Sequence, residues 1–129
     1  MDPKFIEAVI APGFLLMGLS HLVQPQLWVR FFEAVRNTGL AAVIIPLFTL
    51  PIGLLLIAGH NVWTWDWPVV LTIAGWGMTI KSAAYLLVPG LAERALSKKM
   101  ATTPRSFQIV GAPTAVIGAI LTWQAWARI

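Results

Sequence analysis

The chain has no cysteine, which excludes disulfides, thiolate-held metals, iron–sulfur clusters and cysteine nucleophiles, and leaves its redox compartment open. Charge is almost as scarce. Charged residues make up 11% of the sequence and hydrophobic ones 58%, a balance that a soluble domain of 129 residues does not have. Most of the chain must face lipid or other apolar helices. No catalytic or ligand motif that would name a reaction is present. The net charge of +4 does not point to nucleic acid, because the basic residues gather between apolar runs, where membrane topology accounts for them.

Four apolar runs stand out: Phe5 to Val23, Leu40 to Ala58, Pro68 to Val88, and Phe107 to Ala127. Each has the ~20 residues that a spanning helix needs, so the chain reads as one integral membrane domain over residues 1–129, an all-α four-helix transmembrane bundle. The middle connection, Gly59 to Trp67, has no Lys or Arg. The first carries Arg30 and Arg36, and the third Arg94, Lys98, Lys99 and Arg105. The first and third share a side, against only Lys4 and Arg128 opposite. This predicts a multi-pass protein of the bacterial inner membrane with these connections cytoplasmic and both termini on the other face. Indoles favour the membrane boundary, and Trp63, Trp65, Trp67, Trp123 and Trp126 all fall on the non-cytoplasmic side, with Trp28 opposite.

Lys4 before an apolar run imitates a secretory signal, but Asp2, Glu7, Pro12 and the lack of a small-residue cleavage pattern argue for a retained span. Pro46, Pro51 and Pro113 also fall within spans, as kinks that neighbouring helices can re-satisfy. A weak duplication runs through the chain: His21-Leu22-Val23-Gln24-Pro25 matches Tyr85-Leu86-Leu87-Val88-Pro89 at an offset of 64, with Arg30 on Arg94, and Pro51 to Leu56 matches Val116 to Leu121 at 65. An even number of spans per repeat gives two helical hairpins of the same orientation. Pro25 to Arg36 alternates aromatic and charged positions at helical spacing, which predicts a short interfacial amphipathic helix after the first span. Leu91 to Lys99 is a second helical stretch, whose basic charge suits anionic lipid.

Lys81 is the conspicuous side chain, an ionisable group inside an apolar span. Two readings stand side by side. The stem snorkels toward Pro89, about 12 Å along the axis at ~1.5 Å per residue, or the ammonium holds an anionic or carbonyl-bearing ligand or exchanges a proton. The duplication sets His21 and Tyr85 at equal depth with Lys81 one turn deeper and Ser20 and Ser82 nearby, a polar pocket opening to the inner leaflet; these three are the catalytic candidates. No cofactor or metal is expected. His21 and His60 lie near opposite faces, so they cannot sandwich one haem, and a single histidine at a subunit interface is the remaining way to ligate one. Trp63, Trp65 and Trp67 read as interfacial anchors or as an aromatic binding surface. Gly111, Ala115 and Ala119, with Gly118, give the fourth span a face for close helix contact, inside the bundle or on a second protomer.

The stretch His60-Asn61-x-Trp63-x-x-Asp66-Trp67-x-x-x-x-Thr72-x-x-Gly75-Trp76-x-x-x-x-Lys81, followed by Leu86-Leu87-x-Pro89, resembles a family of uncharacterised small bacterial four-span inner-membrane proteins, with a looser likeness to DoxX-like four-helix membrane proteins. The resemblance covers mainly the middle third. It implies the architecture and a prokaryotic inner membrane, and it carries over no activity.

Three functional classes fit this sequence. One is an accessory or assembly subunit of a larger membrane complex. The second is a lipophile-binding protein or enzyme built on His21, Lys81 and Tyr85. The third is a transporter or channel, which needs a homo-oligomer because four helices enclose little space. The lipid bilayer is a partner in all three, and nucleic acid in none.

Overall fold

The computed structural model describes residues 2–97 and 103–127. Lys98, Lys99 and Arg128, which enter the charge asymmetry of the connections, lie outside the described residues. The elements are α1 (Pro3–Val23), α2 (Pro25–Thr38), α3 (Ala41–Gly59), α4 (Val69–Leu87), α5 (Pro89–Ser97) and α6 (Pro104–Trp126). Four of them, α1, α3, α4 and α6, are long and apolar enough to cross a membrane. Their outward faces carry Leu16, Leu47, Phe48, Ile80, Ile109 and Val116. In water this would be one continuous apolar surface; in a bilayer it is the lipid contact. The protein is a small multi-pass membrane protein.

Proline sets the helix boundaries. A residue before proline is pushed out of the helical region, and proline itself fits the first helical position. Gln24-Pro25 therefore ends α1 and starts α2, and Val88-Pro89 does the same between α4 and α5. Asp2 caps α1 by accepting from the Lys4 N–H at 3.0 Å. α2 ends at Gly39 with φ 72, a left-handed turn that favours glycine. Gly39→Ala should cost about 1–2 kcal/mol through that backbone angle alone, which thermal unfolding in detergent would show.

Pairing of the spans runs across the repeat. α1 packs along α6 with Leu22 beside Gln108, Gly18 beside Ala115, Leu15 beside Gly118 and Ala8 beside Trp126, so the two are antiparallel. α3 packs along α4 in the same sense, with Thr49 on Ser82, Gly53 on Thr79 and Leu56 on Gly75. These are the same interface made twice. Leu15 and Thr79 are 64 residues apart, and Gly118 and Gly53 are 65 apart. The short helices obey the same exchange, α2 touching α6 and α5 touching α3. The duplication is thus present in the packing, with one correction to its form: the spans within each half scarcely meet, and each leans on a span of the other half.

Glycine makes both interfaces close. A methyl group on Gly18 would overlap the Ala115 backbone N and sit 2.7 Å from its Cα, and one on Gly75 would sit 2.5 Å from the Leu56 Cβ. Without a hydrophobic drive between helices in lipid, such close backbone approach supplies the attraction. The central core is Ile6, Ala11, Leu56, Leu71 and Leu121. Ala11 and Leu121 are the repeat equivalents of Gly75 and Leu56.

Two ends follow from this arrangement. The basic end carries α2 and α5, which share a cluster of Val35, Ala41, Ala42, Ala92 and Leu96, and Arg36 donates to the Leu96 carbonyl at 3.2 Å. The aromatic end carries the connection 60–68 and the outer turns of α1, α4 and α6. There Trp126 donates to the Ala8 carbonyl at 3.0 Å, and Asn61 accepts from the indoles of Trp63 and Trp76 at 2.8 and 3.4 Å.

Candidate functional site

The most concentrated polar chemistry lies at the aromatic end, where three elements each deliver one side chain. Glu7 comes from the second turn of α1, His60 from the residue that ends α3, and Thr72 from the first turn of α4. His60 Nε2 lies 2.8 Å from Glu7 Oε1 and its Nδ1 lies 3.0 Å from Thr72 Oγ1. His60 and Thr72 are fully buried, and the Glu7 side chain is 8% exposed. Burial of such groups is tolerated because each has a hydrogen-bond partner.

A threonine hydroxyl has one hydrogen to give and two lone pairs to accept with. The Thr72 hydroxyl donates to the His60 carbonyl at 2.7 Å and accepts from the Val62 N–H at 3.1 Å, and its oxygen lies 3.0 Å from His60 Nδ1. One hydrogen bridges Nε2 and Oε1, since two bare lone pairs would not sit at 2.8 Å.

The residues singled out by sequence sit elsewhere. His21 faces the basic end, its Nδ1–H donating to the Met17 carbonyl at 2.7 Å and its ring stacked on Trp28 with ring centroids 4.3 Å apart. Trp28 donates to Ser20 Oγ at 2.8 Å, and Phe107 closes the group. A cavity of about 40 Å³ lies beside His21, between Gly18, Gly111 and Thr114. Tyr85 packs instead against the cluster under α2 and α5. Lys81 is exposed on α4, its Nζ 6.0 Å from the Tyr85 ring centroid. Lys81 and Tyr85 are thus neighbours, whereas His21 belongs to a separate aromatic group. Ser82 is buried and bonded to Thr49 across the α3–α4 interface at 2.6 Å.

Gly111, Ala115 and Gly118 turn inward against α1, and Ala119 is exposed. Trp63, Trp65 and Trp67 are exposed, the last two lining an open groove of about 490 Å³ with Asp66, Val69 and Val70. No group of three or more His, Cys, Asp or Glu side chains converges as a metal site among the described residues.

Sequence reasoning gives Glu7 only the role of arguing against a signal peptide and leaves His60 alone. The available signal was topological: with four spans, residue 7 and residue 60 must emerge at the same end. His60, Asn61, Trp63, Thr72, Gly75 and Trp76 form the hydrogen bonds and close packing of this end. Comparison with protein-family models, curated proteins and solved structures gives no match.

Proposed function

We propose that the protein is an accessory or assembly subunit of a larger complex in the bacterial inner membrane, held there through the outer faces of its helices with the basic end cytoplasmic. Lys81 carries this reading. It stands exposed on a spanning helix, with no hydrogen bond or ion pair among the described residues. An ammonium at that depth is stabilised when a carboxylate or carbonyl meets it. One turn away, Gly77 has nothing within 4 Å of where a Cβ would be, and Ile73 and Ile80 are exposed on either side, so another helix can close on the backbone here.

A second copy of the chain does not supply the missing charge. Asp2, Glu33, Asp66 and Glu93 lie in connections, short helices or at a helix start, and Glu7 is buried. A different membrane polypeptide with a carboxylate in its span fits the face better. Arg30, Arg36, Arg94 and Arg105 at the basic end support the orientation.

A photo-cross-linking residue at Ile80, activated in native membranes, tests the reading. One stoichiometric polypeptide adduct is expected, and Lys81→Met should reduce its recovery about tenfold, equivalent to ~1.4 kcal/mol. Lipid adducts alone, or an unchanged adduct in Lys81→Met, would contradict it.

A further inference from the structure

We infer that Trp65, Asp66 and Trp67 form a binding site for an organic ammonium group in the open groove at the aromatic end. The inference does not rest on the subunit reading. The groove, of about 490 Å³, falls within the ~300–1,000 Å³ of small-molecule sites, and its lining of Trp65, Asp66, Trp67, Val69 and Val70 holds one charged side chain among four apolar ones. That composition selects the ligand. An indole presents the negative face of its π-system on an apolar surface, so it attracts cations but cannot replace the water that a small metal ion gives up. A weakly hydrated ammonium with carbon around its nitrogen meets both demands, and the Asp66 carboxylate adds the opposing charge. An anion would meet like charge here. A sugar calls for several convergent hydrogen-bonding side chains, and Asp66 is the one side-chain acceptor in the lining.

The second support is that these groups are uncommitted and their backbone is held in place. Asp66 is exposed, and no Lys, Arg or His pairs with it among the described residues. Its Oδ1 accepts from the Thr64 hydroxyl at 2.5 Å, which orients the carboxylate and leaves Oδ2 without a partner among the described residues. Trp65 is fully exposed and Trp67 about half. The indole N–H of Trp63 is committed to Asn61, whereas no side-chain hydrogen bond or ring contact engages Trp65 or Trp67 among the described residues. Beneath them, Val69 N–H donates to the Asp66 carbonyl at 3.2 Å and Val70 N–H to the Trp67 carbonyl at 3.0 Å, around a buried Pro68. The first turn of α4 thus fixes the groove, and such preorganisation lowers the ordering cost of binding. Indoles that served only as membrane anchors would need no carboxylate between them.

The ammonium belongs either to a lipid headgroup or to a soluble amine, and one titration separates the two. The protein is placed in phosphatidylglycerol nanodiscs, which carry no ammonium, with empty nanodiscs as the blank. Ligand-observed NMR then compares choline with 3,3-dimethyl-1-butanol, its uncharged analogue with carbon in place of nitrogen. Choline should bind about tenfold more tightly than the alcohol, and Asp66→Asn and Trp65→Leu should each weaken it about fivefold. Trp63→Leu, whose N–H is bonded outside the groove, should leave choline binding unchanged. All three positions are exposed, and unchanged thermal unfolding shows that each variant keeps the bundle. In phosphatidylcholine nanodiscs the lipid's own trimethylammonium should compete and lower choline binding if a headgroup reaches the groove; unchanged binding assigns the site to a soluble amine. Absence of choline binding, equal affinity for choline and the alcohol, full binding in Asp66→Asn or Trp65→Leu, or an equal loss in Trp63→Leu overturns the inference.

Discussion

Glu7→Leu alone is expected to destabilise the bundle by about 3–5 kcal/mol, because it strips the partner from a fully buried imidazole and leaves Nε2 against hydrocarbon. Combining it with His60→Ala and Thr72→Ala should restore most of that loss. The triple variant copies the apolar filling found at the repeat equivalents Leu71, Ala125 and Ala8, and replacing a buried ion pair by apolar groups is often neutral or stabilising by about 1–4 kcal/mol. Some penalty remains from the smaller volume of alanine at position 60. Equilibrium unfolding in mixed micelles measures both variants. A triple variant less stable than the single one would show that the polar cluster itself holds the fold together.

Gly18→Leu should disrupt the α1–α6 interface outright. Already a Cβ at position 18 meets backbone atoms, the Ala115 N and Cα and the Gly111 carbonyl at 2.9 Å, none of which can turn aside as a side-chain tip would. Gly18→Ala should therefore cost about 1–3 kcal/mol and leucine more. Gly118 faces the Leu15 backbone in the same way, so Gly118→Ala should behave alike. Gly13 and Gly77 have nothing within 4 Å and provide the contrast: alanine there should be neutral or stabilise by about 1 kcal/mol through helix propensity. Energy transfer between labels on α1 and α6 separates loss of this interface from general unfolding. Equal losses at Gly18 and Gly77 would contradict the assigned pairing.

The spans were legible because a bilayer demands long apolar runs, and the proline pairs at Gln24-Pro25 and Val88-Pro89 marked where spans give way to interfacial helices. The amphipathic pattern from Pro25 announced α2, and the matching residues around His21 and Tyr85 announced the repeat. Which span leans on which was not legible. In lipid the outward and inward faces are both apolar, so hydropathy does not mark the contact side; small residues do, and Gly111 and Ala115 identified a close face without naming α1 as its partner. Glu7 and His60 are 53 positions apart, and nothing local in either segment signals the other. For His21, Lys81 and Tyr85, equal depth along the spans is not proximity. The pseudo-twofold exchange that equates His21 with Tyr85 instead places them in separate clusters, one with Trp28 and Phe107 and the other under α2 and α5.

Because the chain lacks cysteine, single cysteines can report its path through the membrane without background. Arg30→Cys, Arg94→Cys and Trp65→Cys, placed on α2, α5 and the aromatic connection, should be probed with a membrane-impermeant maleimide in sealed, oriented vesicles, with Phe48→Cys on the lipid face of α3 as a fourth site. Two halves of equal orientation require that positions 30 and 94 react from one side, position 65 from the other, and position 48 from neither. Labelling of 30 and 94 from opposite sides, or of all four without disrupting the bilayer, would contradict the four-span bundle.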